Sequence, residues 1–188
     1  MNTLRFSLLL AAAAAAVVGC SVARADNFKL SSPDVSPDRP IAAAQVYAGF
    51  GCHGGNHSPA LSWHGAPAGT QSFALTVYDP DAPTGSGWWH WVLVDIPSTV
   101  NALPADAGAV GGDRAPAGSH AVRNDFGTRG YGGPCPPAGD APHRYEFTLY
   151  ALDSKHLDLP ADASPAMAGF VIHSHALGEA RLTARYGR

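Results

Sequence analysis

Two aspartates, two prolines and a histidine crowd the connection between two apolar runs in the stretch "YDPDAPTGSGWWHWVLVDI" from Tyr78 to Ile96. A hairpin turn needs only a short polar connection with residues that accept unusual backbone angles. This connection carries more chemistry than that. Asp79 and Asp81 supply carboxylates, and His90 supplies an imidazole that can donate to an oxyanion, accept a proton or ligate a metal. A second stiff loop, "YGGPCPPAGDAP" from Tyr131 to Pro142, runs up to His143, with Tyr145 two residues further on. Prolines restrict both loop backbones and so reduce the ordering cost of binding. Alone, "DPDAP" reads as a rigid turn; beside the second loop it reads as half of a pocket.

Three chemistries fit these residue types. Imidazole and carboxylate ligands suit zinc or a similar ion, but no close His and Glu pair on one helical turn advertises a metal site. A hydrolase would use His90 or His143 as general base with Asp79 orienting it. Ser58, Thr84 and Ser86 lie near the motifs, yet no "GxSxG" elbow is present. A binding module needs neither ligand geometry nor nucleophile, so binding of a small anion without catalysis or cofactor is the preferred reading. His90 and His143 would be the pocket's cationic side chains, and affinity would then fall as pH rises through the histidine range. "GFGCHGGNHSPALSW" adds Cys52, His53 and His57. Their spacing matches no common zinc pattern, and the stretch reads as a glycine-rich loop before a strand.

Three apolar runs are positioned to hold the site: Ser72 to Asp79, His90 to Ile96, and Arg144 to Leu152, each rich in β-branched or aromatic residues. They are apolar on both faces, as central strands of a covered sheet should be. Asp79 ends the first, His90 begins the second and His143 opens the third, so one sheet rim can gather all three. Strict alternation would put His90 with Trp88 on one face and Trp89 with Trp91 on the other, and Tyr145 on the side of His143. One helix is expected where Ser164 can cap and Pro165 can take the first position. Met167, Phe170, Val171 and Ser174 would form its buried stripe, lying across the sheet. His173 and His175 face different directions on it and are read as surface or packing residues.

Glycine and proline punctuate short apolar runs along the whole chain, the pattern of a mainly β domain. The first segment, "MNTLRFSLLLAAAAAAVVGC", has one arginine, an apolar stretch from Leu8 to Val18 and then small residues, as a secretory signal does. Cleavage after "ARA" would leave Asp26 first; the alternative is lipoprotein processing before Cys20. Residues 26–188, about 160, suffice for a single domain. Cleavage after Ala25 removes Arg5 and Arg24 and no acids, so 12 basic against 15 acidic residues become 10 against 15, a formal charge of −5. That sign argues against a nucleic-acid partner. Export to a periplasmic or extracellular space would permit Cys52 and Cys135 to pair, which requires Cα atoms within roughly 7 Å; two separate thiols are the alternative.

The stretches "SPALSWHGAPAGTQSFALTVYDPDAPTGSGWWHWVLVDIP", "RNDFGTRGYGGPCPPAGDAPHRYEFTLYALD" and "GFVIHSHALGEARLTARYGR" together resemble the phosphatidylethanolamine-binding proteins, in particular their bacterial Raf-kinase-inhibitor-like branch. The resemblance implies an antiparallel β-sandwich with a C-terminal helix and short peripheral helices. It also implies a small pocket for phosphate, acetate or a phospholipid head group. Carried over by position, Asp79 and Asp81 are the loop acids, His90 the first pocket histidine, Gly133 the lining glycine, and His143 with Tyr145 the second histidine and its tyrosine. The resemblance further implies a cis Ala82–Pro83 bond and turn roles for Asn56, Ser58 and Pro59. Cys135 within "GPCP" and the secretory signal depart from the eukaryotic pattern. Export removes any cytosolic kinase as partner. No other protein partner is named, and a homodimer is left open.

Overall fold

A computed structural model describes residues 27–188; the expected signal segment and Cys20 lie outside them. The strands, in chain order, are β1 (Lys29–Ser31), β2 (Ala48–Gly49), β3 (Cys52–His53), β4 (Leu61–His64), β5 (Ser72–Asp79), β6 (Trp88–Pro97), β7 (Ala102–Leu103), β8 (His120–Ala121) and β9 (His143–Leu152). A helix, α1 (Pro165–His175), and a last strand, β10 (Ala176–Tyr186), complete the fold. The three apolar runs become β5, β6 and β9, the centre of a five-stranded antiparallel sheet in the order β10-β9-β5-β6-β8. A three-stranded sheet, β1-β4-β7, packs over one face. A short β2-β3 hairpin stands apart from both.

The central strands are apolar on both faces because both are covered. Leu75, Val77, Leu93, Phe147 and Leu149 face the smaller sheet and meet Leu30, Leu61, Trp63 and Leu103. Ala74, Val92, Val94, Tyr150 and Leu152 face the other way and meet Ala168 and Ile172 of α1. The helix starts as its sequence dictates, with Ser164 as N-cap accepting the Met167 amide at 3.1 Å and Pro165 in the first turn.

Its buried face, however, is not the expected stripe. Pro165, Ala168, Gly169 and Ile172 are buried, while Met167 and Phe170 are 47% and 77% exposed. Apolar residues ring this helix, so periodicity could not choose a face. Small side chains let it approach the sheet closely, and that decided the matter. The peripheral segments are turns rather than short helices; among the described residues α1 is the one α-helix. The Ala82–Pro83 bond is trans, as are all described peptide bonds. The loop closes locally instead, through the Thr84 amide donating to Ala82 O at 2.8 Å.

Candidate functional site

Asp79 and His143 meet at the rim because they are the last residue of β5 and the first of β9, adjacent antiparallel strands. His143 Nδ1 donates to Asp79 Oδ2 at 2.8 Å, with side chains 5% and 3% exposed. Asp79 Oδ1 accepts the Asp81 amide at 2.9 Å, so both carboxylate oxygens are engaged. On the far side of His143, Nε2 lies 3.6 Å from Asp140 Oδ2.

His90 reaches the same cavity through an irregularity. Val77 pairs with Trp91 and Tyr78 with Trp89, so His90 is an extra residue in β6, a β-bulge. Trp91 therefore packs in the inter-sheet core while Trp89 packs towards α1, and the expected shared face of these two tryptophans is not found. Bulges re-aim side chains, and here the consequence is a buried imidazole at the rim. His90 Nδ1 donates to Gly132 O at 2.6 Å, and the Gly132 amide donates back to His90 O at 2.9 Å. Burial pushes the His90 pKa down to about 4, against the opposing pull of the Gly132 carbonyl and the Asp79 charge. His90 is thus neutral across the range where it was expected to be cationic. The enclosed position that brings it to the cavity also strips its charge of water.

Asp79, His90 and His143 line one cavity of about 150 Å³. Its walls are apolar. Trp88, Phe50, Phe126, Pro83, Pro136 and Pro137 line it. Phe126 stands edge-on to Trp88 with centroids 5.4 Å apart and stacks on Phe50 at 5.8 Å. Phe50 sits at the tip of the β2-β3 hairpin with φ 52 and is 68% exposed. The hairpin is fastened to the proline loop by a disulfide between Cys52 and Cys135, Cα atoms 6.0 Å apart, which satisfies the geometric requirement stated from sequence. Arg188 adds a second fastening, donating to Pro136 O at 2.7 Å and to Gly51 O at 3.0 Å.

Three expected site residues lie behind or beside the cavity. Asp81 is turned to Arg144, which it holds through the main-chain amide at 2.8 Å and the guanidinium at 2.6 Å. That guanidinium lowers the Asp81 pKa to about 2. Gly133 is buried with its amide given to Asn56 Oδ1 at 2.8 Å; a Cβ there would stand 2.0 Å from Gln45 O, so the glycine serves a close main-chain crossing. Tyr145 is 1% exposed, its ring at right angles to His90 with centroids 5.1 Å apart. Burial, then the Asp79 charge, push its phenol pKa well up. Two of the three hydroxyls near the motifs are in structural bonds: Ser58 Oγ accepts the Gly108 amide at 2.9 Å and Thr84 Oγ1 donates to Gly87 O at 2.5 Å.

Sequence reasoning passed over Trp88, Phe50 and Phe126 as walls, and Asn124 as a support. Asn124 Nδ2 donates to His90 O at 3.2 Å and to Gly130 O at 2.9 Å, tying the bulge to the glycine loop. "RNDFG" held the signal for Asn124, since a turn asparagine commonly bonds neighbouring main chain. Nothing in the sequence marks Phe50, whose place depends on the disulfide.

The fold and the rim cavity together define a β-sandwich protein with a small, polar-floored, apolar-walled pocket at one sheet edge. Residues 31–187 match the family model described as phosphatidylethanolamine-binding protein, and the chain belongs to that family. It is 47% identical to UPF0098 protein YbcL of Escherichia coli over 164 residues, 87% of this chain and 90% of that one. It is also 47% identical to YbhB of the same bacterium over 158 residues, 84% of this chain and 99% of that one. A Mycobacterium tuberculosis relative, LppC, described as a candidate lipoprotein, is 38% identical over 162 residues, 86% of this chain and 73% of that one. The crystal structure of E. coli YbcL, described as a new member of the mammalian PEBP family, superposes with a TM-score of 0.84 at 46% identity, covering 86% of this chain and 99% of that one.

Proposed function

We propose that this chain is an exported binding protein that takes a phosphate-like oxyanion, free or as a phospholipid head group, into the rim cavity without turning it over. The convergence of Asp79, His90 and His143 on one cavity carries this reading. About 150 Å³ suits a benzene-sized guest and falls below the volume of drug-sized ligand sites, so a small anion or head group fits and a large metabolite would have to protrude. Two imidazoles beside a carboxylate offer polar partners, and the aromatic and proline walls exclude water around them. The binding reading over hydrolysis draws support from Ser58 and Thr84, whose hydroxyls are occupied structurally. The disulfide and the lipoprotein description of LppC support export.

Calorimetry with inorganic phosphate and phosphoethanolamine on the disulfide-bonded protein tests the proposal. His143→Ala removes a charge-assisted hydrogen bond worth roughly 1.5–3 kcal/mol, so affinity falls about ten- to a hundredfold. Unchanged affinity in His143→Ala would move the site elsewhere. Steady release of product from p-nitrophenyl phosphate would make the protein a hydrolase.

A further inference from the structure

Resting on the anion-pocket reading above, we propose that the protein takes a phospholipid head group in place, with the cavity mouth docked on a bilayer surface and the Phe50 ring inserted at its acyl boundary. Phe50 and Gly51 are the two residues between β2 and β3, with φ 52 and 78. A two-residue turn that is left-handed at both positions is ordinarily built from Asn-Gly, Asp-Gly or Gly-Gly. A phenylalanine there is strained, because its Cβ crowds the main chain in that conformation. Burial does not offset the strain, since Phe50 is 68% exposed. The turn is nonetheless held by three fastenings. The Cys52–Cys135 disulfide ties it to the proline loop, Arg188 donates to Gly51 O at 3.0 Å, and the ring packs on Phe126 and Tyr47 with centroids 5.8 and 5.6 Å apart. The fold keeps a strained aromatic fixed in solvent.

What that ring meets follows from the cavity beside it. Of the large apolar side chains exposed among the described residues, Phe50 is the one that also lines the cavity. About 150 Å³ accommodates a head group but not the diacylglycerol attached to it. The acyl chains stay outside, and lifting them from the bilayer into water would cost free energy with every methylene exposed. Docking leaves them where they are. Pro83 and Pro137 stand exposed where they line the cavity, and proline brings no main-chain N–H to be stranded against an apolar layer. Beside them, Phe50 gains its burial only when the bilayer closes over it. The fastenings serve the same contact: the tip is ordered before it meets the membrane, so little conformational entropy is lost on docking.

The test is sedimentation of the intact disulfide-bonded protein with vesicles of phosphatidylethanolamine and phosphatidylcholine, beside calorimetry with soluble phosphoethanolamine. Phe50→Asn suits the left-handed turn and so keeps the hairpin folded while removing the ring. It should weaken vesicle binding at least about tenfold more than it weakens phosphoethanolamine binding, because the lost contact is with acyl chains that the soluble head group lacks. Phe50→Leu keeps an apolar tip and should retain most of the vesicle affinity. Phe170→Ser, on α1 at a residue that does not line the cavity, should leave vesicle binding unchanged. Equal losses on vesicles and on the head group would make Phe50 a cavity wall only, and a loss in Phe170→Ser as large as in Phe50→Asn would move the contact to the helix; either result overturns the docking. A sedimenting mass that depends on Phe50 without lipid would overturn it too, by making the tip a contact between protein copies. Phosphoethanolamine binding by a wild type that ignores vesicles would overturn the docking and leave the pocket standing. Binding of neither would overturn both.

Discussion

Two histidine–aspartate pairs of nearly equal length sit in this molecule in unlike surroundings. At the rim, His143 and Asp79 are 2.8 Å apart with side chains 5% and 3% exposed; in the loops near Gly55 and Gly112, His57 and Asp106 are 2.7 Å apart at 55% and 33%. The contact is the same and the environment is not. In water the second pair gains little, because solvent screens the charges and competes for the hydrogen bond. At the rim neither competitor is present, so each donor and acceptor needs its partner. Burial converts an ordinary pairing into a fixed polar floor for a cavity, and the walls that exclude water are as much a part of the site as the imidazoles.

If enclosure makes the difference, loosening the enclosure should have the largest effect. Replacing Cys52 and Cys135 by alanine frees a cross-link between residues 83 apart and should cost about 4 kcal/mol in the chain-entropy view. A lower urea midpoint, with a denaturation slope no smaller than that of the disulfide-bonded protein because the freed unfolded chain expands, would confirm it; an unchanged midpoint would mean that Arg188 and the aromatic cluster hold the hairpin unaided. The next effect is one of pH. In the unfolded chain His90 takes up a proton near 6.5 and in the folded chain only near 4. Between those values the unfolded state binds more protons, so this contribution is intact above pH 6.5 and is lost as pH falls towards 4, in all about 3 kcal/mol. Urea midpoints of the wild type and His90→Phe at neutral pH and near pH 4 isolate it, and parallel losses in both proteins would refute it. The last experiment compares the pairs directly. Asp79→Ala strands the Asp81 amide and His143 Nδ1 and should cost about 2–3 kcal/mol, whereas Asp106→Ala should stay within about 0.5 kcal/mol. Similar costs for the two substitutions would show that burial is not what separates the pairs.

Some of this was legible residue by residue. Ser164 and Pro165 announced the helix start, since a cap side chain and a fixed φ act locally. The runs at Ser72, His90 and Arg144 announced β5, β6 and β9 because two-sided apolar character suits only a covered sheet. β10 was passed over, although Ala180, Leu182 and Ala184 alternate inward between Glu179, Arg181 and Arg185; the charges belong to an edge strand, where they discourage pairing with another chain. The face of α1 could not be read, because Met167 and Phe170 are as apolar as the residues that are buried.

The site divides in the same way. The sequence alone put Asp79 and His143 at strand ends of one rim with His90 near them, although His90 is the third residue of β6 and not its first and reaches the cavity through the bulge. It also determined the family resemblance through "DPDAP", "WWHW" and "GPCPP". What only the tertiary structure decided was the electrical state of those residues and which of their neighbours face the cavity. The bulge at His90, the Gly132 carbonyl against its ring, the guanidinium of Arg144 drawing Asp81 aside and the disulfide that carries Phe50 to the mouth are all contacts between residues distant in sequence. Strand periodicity fixes direction along one chain segment, but desolvation and hydrogen-bond partnership are properties of a closed volume, and that volume exists only once the sheet, the proline loop and the hairpin have come together.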